Sequence, residues 1–581
     1  MQIVHLLVVL VLFAIGLTWA ARRLALPYPI ALVLGGAALG FVPVLPKLTL
    51  DPNLVLVIVL PPILYSAAYF TSWRDFQHWL RSIIMLSTGL VLATTCAVAA
   101  VAHHLIGLPW PVAFALGAIV SPPDAVAVTS MLGRMRLPRR IITILEGESL
   151  VNDASGLVLY RFAVVAATTG TFSLTEATGQ FFLTAVGGIV LGVVIGNVIA
   201  AIHRPLKDPL IEVTLTIVAP YVAYLLAEAV HVSGVLAVVA AGLLQGRSAI
   251  EAFTAETRIL GTNVWAIIVF LLNTFIFILI GLALPDVLAR LEQYSTATLI
   301  GYAAAVSMVA IVIRIAWMFP GAYLPPLLSK RIRERESLPS WRGVVLSGWC
   351  GMRGIVSLAA ALALPEMTSA GAPFPSRDLV IFLTFSVIVA TLVFQGLTLM
   401  PLIRLLRIGG DWSTLDEEHL ARRRVAEAAL EEIYSVGRQD QIEKEMVERV
   451  CTEYRLRLAS AHPTRLVLTE GDDPVVRLRR AALGAERREL IQLWRNQEIG
   501  DEVLHHLERE LDLEGTNGVD LSCSCPACGL CEASHHRLLP RATAAQWAAP
   551  PAQRMRPSAG HCAALLAMAA RTQAPPSGGH L

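Results

Sequence analysis

Long apolar runs separated by short polar segments make up the first two thirds of the chain. A membrane-spanning helix needs roughly 17–25 mostly apolar residues, and thirteen runs fit this pattern. Residues 209–246 as one helix would be about 57 Å long, nearly twice the roughly 30 Å hydrocarbon core, so we divide them near residues 231–234. The predicted spans lie near residues 3–21, 25–45, 53–71, 82–105, 108–132, 141–169, 180–202, 209–230, 232–246, 261–285, 297–328, 343–365 and 379–403.

The composition agrees with this pattern. Hydrophobic residues make up 55% of the 581 residues and charged residues 15%, whereas a soluble chain is roughly one quarter charged. The formal net charge of +2 gives no global attraction to nucleic acid. The sequence therefore predicts an all-α membrane protein. We divide it into a transmembrane domain at residues 1–408 and a C-terminal tail. The tail consists of a cytoplasmic helical region at 409–515 and a Cys-rich, disordered segment at 516–581.

Basic residues are distributed unevenly between the two sets of alternate loops. One set holds 17 of them and the opposite set holds 3. Because Lys and Arg concentrate in cytoplasmic loops, we predict that the N-terminus lies outside and the tail in the cytoplasm. The first apolar run has no basic segment before it, so it is predicted to be a retained helix and not a cleaved signal peptide.

The sixth span carries the densest set of polar groups at membrane depth, where ionisable residues are costly and are functional candidates. At about 100° per residue, Ser149 and Asp153 share one helix face, Asn152 lies beside Glu148, and Glu148 points about 140° away from Asp153. Arg314 in the eleventh span keeps its charge and needs a partner. Glu148 is the natural candidate, in an architectural role. Structural contacts between helices are the alternative explanation for Asp153.

Two spans are interrupted. Pro122 and Pro123, followed by Asp124, prevent a regular helix in the fifth span. A glycine-rich stretch with Arg353 interrupts the twelfth. The breaks lie seven spans apart, which predicts that spans 1–6 and 8–13 are inverted repeats with two unwound crossing helices. Asp124 and Arg353 would neutralise the partial charges of the half-helix ends, with direct ion contact as the alternative.

Several motifs carry a family resemblance. LPPIL at 60–64, SPPDAVAV at 121–128, EGESLVND at 146–153, FLLN at 270–273 and GMRG at 351–354 resemble the cation:proton antiporter-1 family, in its bacterial sodium/proton exchanger form, over about residues 10–405. The resemblance implies a homodimer in the bacterial cytoplasmic membrane. It also implies a dimerisation domain and a six-helix core that moves between inward and outward states.

The resemblance also implies roles for individual residues. Asp153 corresponds to the ion-binding carboxylate, Asn152 to its partner in the Asn-Asp pair linked to electroneutral exchange, and Ser149 to a cation ligand. Glu148 resembles the acid that pairs with Arg314, and Asp124 and Arg353 resemble the charged residues of the two breaks. Pro123 departs from the family by replacing Thr, and Tyr65-Ser66 replaces a Glu found in some members. Backbone carbonyls at the break, including that of Pro123, and water would complete the cation shell.

These residues suggest exchange by competition. Burial disfavours the charged form of Asp153, and either a proton or a hard cation with oxygen ligands can neutralise it. One-for-one exchange of H⁺ for Na⁺, or for Li⁺ or K⁺, would be electroneutral and requires no cofactor. A K⁺/H⁺ antiporter is the alternative, and an ion channel or a membrane sensor is a different class. An enzyme is not expected, because no nucleotide-binding loop or nucleophile–base set appears.

The tail holds two further features. Residues 410–515 are rich in Glu, Arg and Leu at helical spacing, which predicts a solvated helical arm, or alternatively a regulatory or dimer contact. A compact cluster of cysteines follows, which could bind structural zinc or remain as free thiols in a disordered tail. Its members are Cys523, Cys525, Cys528 and Cys531.

Overall fold

The computed structural model describes residues 2–24, 27–42, 55–124, 128, 137–170, 174–328, 330, 338–408, 412–459 and 473–516. Within these ranges the regular structure is helical, and the β contact they contain is an isolated bridge between Met367 and Pro373. The described residues belong to one unit, Met1–Asp520. The cysteine cluster predicted as a zinc site lies outside the described residues.

A helix occupies each region that the apolar pattern marks as a span. The helices are α1 (Gln2–Arg23), α2 (Tyr28–Gly40), α3 (Val55–Val59 and Leu60–Phe70), α4 (Trp73–Ile84, Met85–Leu90 and Val91–His104), α5 (Trp110–Val120), α6 (Arg139–Thr169), α7 (Leu174–His203), α8 (Pro209–Ala229), α9 (Gly234–Ala252), α10 (Ala255–Ala289), α11 (Thr296–Leu328), α12a (Trp341–Trp349), α12b (Ile355–Leu362) and α13 (Arg377–Ala390, Thr391–Gln395 and Gly396–Leu406).

Length and composition separate these helices into groups. Within the described residues, seven are long and apolar enough to cross a membrane: α4, α6, α7, α8, α10, α11 and α13. Four shorter apolar helices are α2, α3, α5 and α9. The chain turns between α8 and α9, where His231 has a φ of 58° and Ser233 caps α9 by accepting a hydrogen bond from the Leu236 N–H at 3.3 Å.

Glycines allow two pairs of helices to pack with their backbones in contact. A Cβ at Gly36 of α2 would collide with the Ile278 carbonyl of α10, and one at Gly281 would collide with the Val33 carbonyl of α2. In the same way, a Cβ at Gly246 of α9 would collide with the Tyr69 carbonyl of α3. Small residues allow the helix backbones to approach closely. The resulting van der Waals packing stabilises helix association in lipid, where no hydrophobic driving force acts between helices.

Four further helices form the tail: α14 (Trp412–Gln439), α15 (Lys444–Ala459), α16 (Pro474–Arg495) and α17 (Asp501–Thr516). They share two apolar clusters, one of which includes Ile250 of α9. The Arg74 guanidinium of α4 lies 4.0 Å from the centre of the Trp494 ring. Arg258 of α10 donates two hydrogen bonds to Asp512, at 2.9 and 2.7 Å. The tail helices are therefore packed onto the transmembrane helices, unlike the solvated arm expected from the sequence.

Gly281→Ala tests the close packing of α2 on α10. The added methyl group must displace the backbone of α2, so we expect a loss of about 1–3 kcal/mol of unfolding free energy. It would appear as a lower unfolding temperature of the detergent-purified protein. Gly301→Ala is the control, since a Cβ there meets nothing within 4 Å and alanine favours the helix. Equal unfolding temperatures for the two variants would contradict the packing argument.

Candidate ion-binding site

Helix α6 carries the predicted site residues into the interior. It begins after Pro138 and ends at Gly170, whose φ of 73° suits glycine. Asp153 is 6% exposed, and it lines a cavity of about 250 Å³. The polar side chains around this cavity are those of Ser66, Asp124, Glu146, Ser149, Asp153 and Ser357. The predicted acids Asp124 and Asp153 therefore face one space.

The prolines of the first break leave a backbone carbonyl that α6 uses. The Ser149 hydroxyl donates to the Pro123 carbonyl at 3.4 Å, and the Asn152 amide donates to the same oxygen at 3.2 Å. This arrangement turns the Asn152 Oδ1 atom away from Pro123. Oδ1 is buried and accepts no hydrogen bond from any described residue. The Pro123 carbonyl thus orients both side chains, of which Ser149 lines the cavity and Asn152 lies behind it.

The two breaks meet, and each supplies a charge to the helix end of the other. The Asp124 N–H donates to the Met352 carbonyl at 2.7 Å. Arg353, 1% exposed, donates from Nε at 3.0 Å to the carbonyl of Val120, where α5 ends. The Asp124 carboxylate lies against Gly354, where α12b begins and where any Cβ would collide with it. A cation therefore lies at a helix C-terminus and an anion at a helix N-terminus, as the helix dipoles favour.

Arg353 is also fixed by groups outside the two breaks. Its Nη2 atom donates to the Ala310 carbonyl of α11 at 3.2 Å, and its backbone N–H donates to the Thr391 hydroxyl of α13 at 3.1 Å. These bonds satisfy donors that could not be left unpaired in the interior. Arg353 therefore connects α5, α11, α12 and α13, and its side chain is not among those lining the cavity.

Glu148 and Arg314 form a separate buried pair. Arg314 Nη1 lies 2.5 Å from Glu148 Oε1, and Nη2 lies 2.9 Å from Oε2. Both side chains are 1% exposed, and Nη2 also donates to the Ser347 carbonyl at 3.3 Å. Glu148 does not line the Asp153 cavity, because it projects from another side of α6. This two-bond geometry ties α6 to α11 and α12a.

Some residues of the cavity were not selected from the sequence. Ser66 lines it, whereas Tyr65 is fully buried against Trp265 with 5.6 Å between ring centres. Ser357 lies three residues after Gly354, in the first turn of α12b. Glu146 belongs to the EGESLVND motif, but the sequence alone gave it no role. The sequence did contain a signal for two of these residues. Ser357 is a hydroxyl one turn after the glycine break, and Glu146 is an acid two turns before Asp153.

Glu148→Gln tests the buried pair. Removing one partner leaves the Arg314 charge buried and uncompensated, which costs about 3–5 kcal/mol. We expect a clearly lower unfolding temperature of the purified protein. Glu256→Gln, at an exposed acid of α10, should change it little. The double replacement of Glu148 and Arg314 by Leu should recover most of the loss. Unchanged stability of Glu148→Gln would show that the pair is not a structural element.

Comparisons with known proteins agree with this architecture. The model of the family described as "Sodium/hydrogen exchanger, transmembrane" matches residues 8–405. A Mycobacterium tuberculosis protein named as an uncharacterized Na⁺/H⁺ exchanger is 34% identical over 501 residues, covering 85% of this chain and 92% of its own. A Bacillus pumilus protein named sodium, potassium, lithium and rubidium/H⁺ antiporter is 31% identical, covering 84% of this chain and 74% of its own.

A solved structure shows the same fold. The sodium proton antiporter MjNhaP1 from Methanocaldococcus jannaschii superposes with a TM-score of 0.56 at 20% identity, covering 70% of this chain and all of that one. At this level of identity the similarity supports the fold alone. The family model, however, spans more than half of the chain, and the helices have the length and composition of membrane spans. The chain belongs to the sodium/hydrogen exchanger family, whose members are multi-pass membrane proteins.

Proposed function

We propose that this protein exchanges protons for monovalent cations across the bacterial cytoplasmic membrane, and that Asp153 binds both ions in turn. One observation carries the proposal: Asp153 is a buried carboxylate that faces a cavity and forms no ion pair with any described residue. Glu148, five residues earlier on the same helix, is held by Arg314. An isolated buried anion is costly, so Asp153 needs a neutralising partner that arrives and leaves.

The oxygens around Asp153 suit a small hard cation. Such cations prefer carboxylate, carbonyl and hydroxyl oxygens. Asp153 supplies a carboxylate, and Asn152 supplies its buried Oδ1, which accepts no bond from a described residue. Ser149 lines the same cavity and would supply its hydroxyl oxygen. Asp124 at the cavity wall adds negative charge, and the Pro123 carbonyl and water would complete the shell.

Coupling follows from the cost of moving a charge through an apolar layer. The core of the molecule would change between its inward and outward states only when Asp153 is neutral. A proton and a cation each provide this condition, and both cannot occupy the same carboxylate. Each cycle would therefore exchange one positive charge for another, so transport would be electroneutral and would need no cofactor.

Na⁺ is the substrate that we propose first, with Li⁺ and K⁺ as further substrates. The name of the Bacillus pumilus relative includes sodium, potassium, lithium and rubidium, which favours K⁺/H⁺ exchange by the same site as the second candidate. Both candidates use the same buried carboxylate. The cation ligands described above contain no feature that selects by ion size alone.

The arrangement of spans is also part of the proposal. We propose thirteen spans, with spans 1–6 and 8–13 as inverted repeats. Adding seven to a helix number in the first half relates α2 to α9 and α3 to α10. The pair α2–α10 therefore corresponds to the pair α9–α3, and both pairs make close backbone contacts at glycines. The same shift exchanges α5 with α12, the two broken helices, which meet at the hydrogen bond from Asp124 to Met352.

The orientation and the assembly follow from the same reasoning. The tail packs on Arg74, Arg139 and Arg258, which belong to the loop set rich in basic residues, so we propose a cytoplasmic tail and an external N-terminus. A homodimer is proposed from the family resemblance. We also propose domain boundaries at residues 408 and 515, and structural zinc at the cysteine cluster.

Asp153→Asn tests the proposed function. We expect it to abolish exchange, because an amide does not titrate and cannot neutralise a cation. The assay is recovery of a quenched pH-sensitive dye in acidified everted vesicles after separate additions of Na⁺, Li⁺ and K⁺. Asp416→Asn, at an exposed acid of α14, should retain wild-type recovery. Exchange by folded Asp153→Asn protein would contradict the mechanism, and cation flux without proton movement would indicate a channel.

A further inference from the structure

A second carboxylate lies on the same face of α6 as Asp153. Glu146 precedes Asp153 by seven residues, which corresponds to two helical turns and about 10.5 Å along the axis. Its side chain lines the Asp153 cavity together with Ser149. It is also nearer than Asp153 to Arg139, where α6 begins and where the tail is bound. Glu146 therefore lies between the tail and Asp153.

A second cavity, of about 420 Å³, adjoins the first at the tail side. Its walls come from the transmembrane helices, including Tyr69, Asp75 and Arg139, and from the tail helix α17, including Glu502 and Glu508. Phe70 and Glu146 are the two described residues that line both cavities. Phe70 is apolar, so Glu146 supplies the polar group at the junction.

Glu146 differs from the acids of α17 that line the second cavity, because each of those has a partner among the described residues. Glu502 pairs with Arg139 at 2.8 Å, and Glu508 and Asp512 pair with Arg258 at 3.3 and 2.7 Å. The remaining acid of α17 in this cavity, Asp501, accepts a hydrogen bond from the Trp494 ring at 2.5 Å.

No described residue forms a hydrogen bond or an ion pair with Glu146. Its side chain is partly exposed to the cavities. A purely structural role would not require a carboxylate at this depth, where an uncompensated charge is costly. A carboxylate that lines two cavities and has no partner among the described residues is suited to binding an ion reversibly.

We propose that Glu146 is a second, transient binding site for protons and monovalent cations, on the passage from the cytoplasm to Asp153. This inference rests on the proposed function of Asp153. A proton released by Asp153 is taken up by the Glu146 carboxylate and passes from it to water in the second cavity. A cation entering from the cytoplasm is attracted by the ionised Glu146 before it replaces the proton on Asp153.

The test compares the two sides of the membrane. In everted vesicles the added cation reaches the cytoplasmic face, and in right-side-out vesicles it reaches the external face. Glu146→Gln should raise the half-saturating Na⁺ concentration about tenfold at the cytoplasmic face and less than about twofold at the external face. Glu146→Asp, which keeps the charge, should stay within about threefold of wild type at both faces.

Glu256→Gln removes a carboxylate of α10 that lines neither cavity, so it is the matched control and should leave both values unchanged. An unchanged cytoplasmic value in Glu146→Gln, or an equal increase at both faces, would overturn the inference. If wild type exchanges ions and Asp153→Asn does not, such a result concerns Glu146 alone. If wild type shows no proton-coupled flux, the proposed function itself fails.

A second measurement does not depend on transport by the variant. Glu146→Cys should react with a methanethiosulfonate reagent carrying an ammonium group at least about tenfold faster from the cytoplasmic face than from the external face, after subtraction of the reaction of wild-type cysteines. The passage then opens from Glu146 toward the tail. Equal reaction from both faces, or no reaction, would place Glu146 outside a cytoplasmic passage and would overturn the proposal.

Discussion

The cost of an uncompensated charge in a medium that cannot solvate it governs the interior of this protein. Glu148 and Arg314 meet that constraint permanently, with two short hydrogen bonds between side chains that are almost completely buried. Asp124 and Arg353 meet it through the ends of broken helices. Asp153 faces a cavity and forms no ion pair with any of the described residues. In our account, the two compensated pairs are structural, and the carboxylate that faces the cavity is the one that binds the transported ions.

The two breaks connect the backbone to the ion chemistry. Pro122 and Pro123 interrupt the helical hydrogen bonds of α5, and the freed carbonyls are then used by other elements. The Val120 carbonyl binds Arg353, and the Pro123 carbonyl binds Ser149 and Asn152. Non-helical backbone at membrane depth is tolerated only when it is buried or lines a cavity, and here both conditions hold. The site is therefore positioned by groups that a regular helix would have used internally.

The sequence predicted the parts of the structure that depend on local rules. Apolar run length located the helices, including the separation of α8 from α9, because a helix of residues 209–246 would be too long for a bilayer. Helical geometry was sufficient to direct Glu148 away from Asp153 and toward another helix. Consecutive prolines and clustered glycines marked both breaks. Each of these signals lies within one continuous segment of the chain.

Contacts between distant segments were harder to predict from the sequence. The hydrogen bond from Arg353 to Val120 joins residues 233 positions apart, and nothing in either local sequence indicates it. The docking of α17 on Arg258 depends on the path of the whole tail, so the expected solvated arm missed it. Ser357 enters the Asp153 cavity only when α12b is placed against α6, and Glu146 borders the second cavity only when the tail is placed. Their motifs were visible, but their surroundings were not.

The central claim is that protons and cations compete for one carboxylate, and proton release measures this competition directly. Na⁺ is added to the purified wild-type protein in a weakly buffered solution, and the change in pH is recorded. The account predicts saturable release of protons that follows Na⁺ binding and is absent when Asp153 is replaced by Asn. Saturable Na⁺ binding without proton release, or equal release by the Asp153→Asn variant, would contradict it.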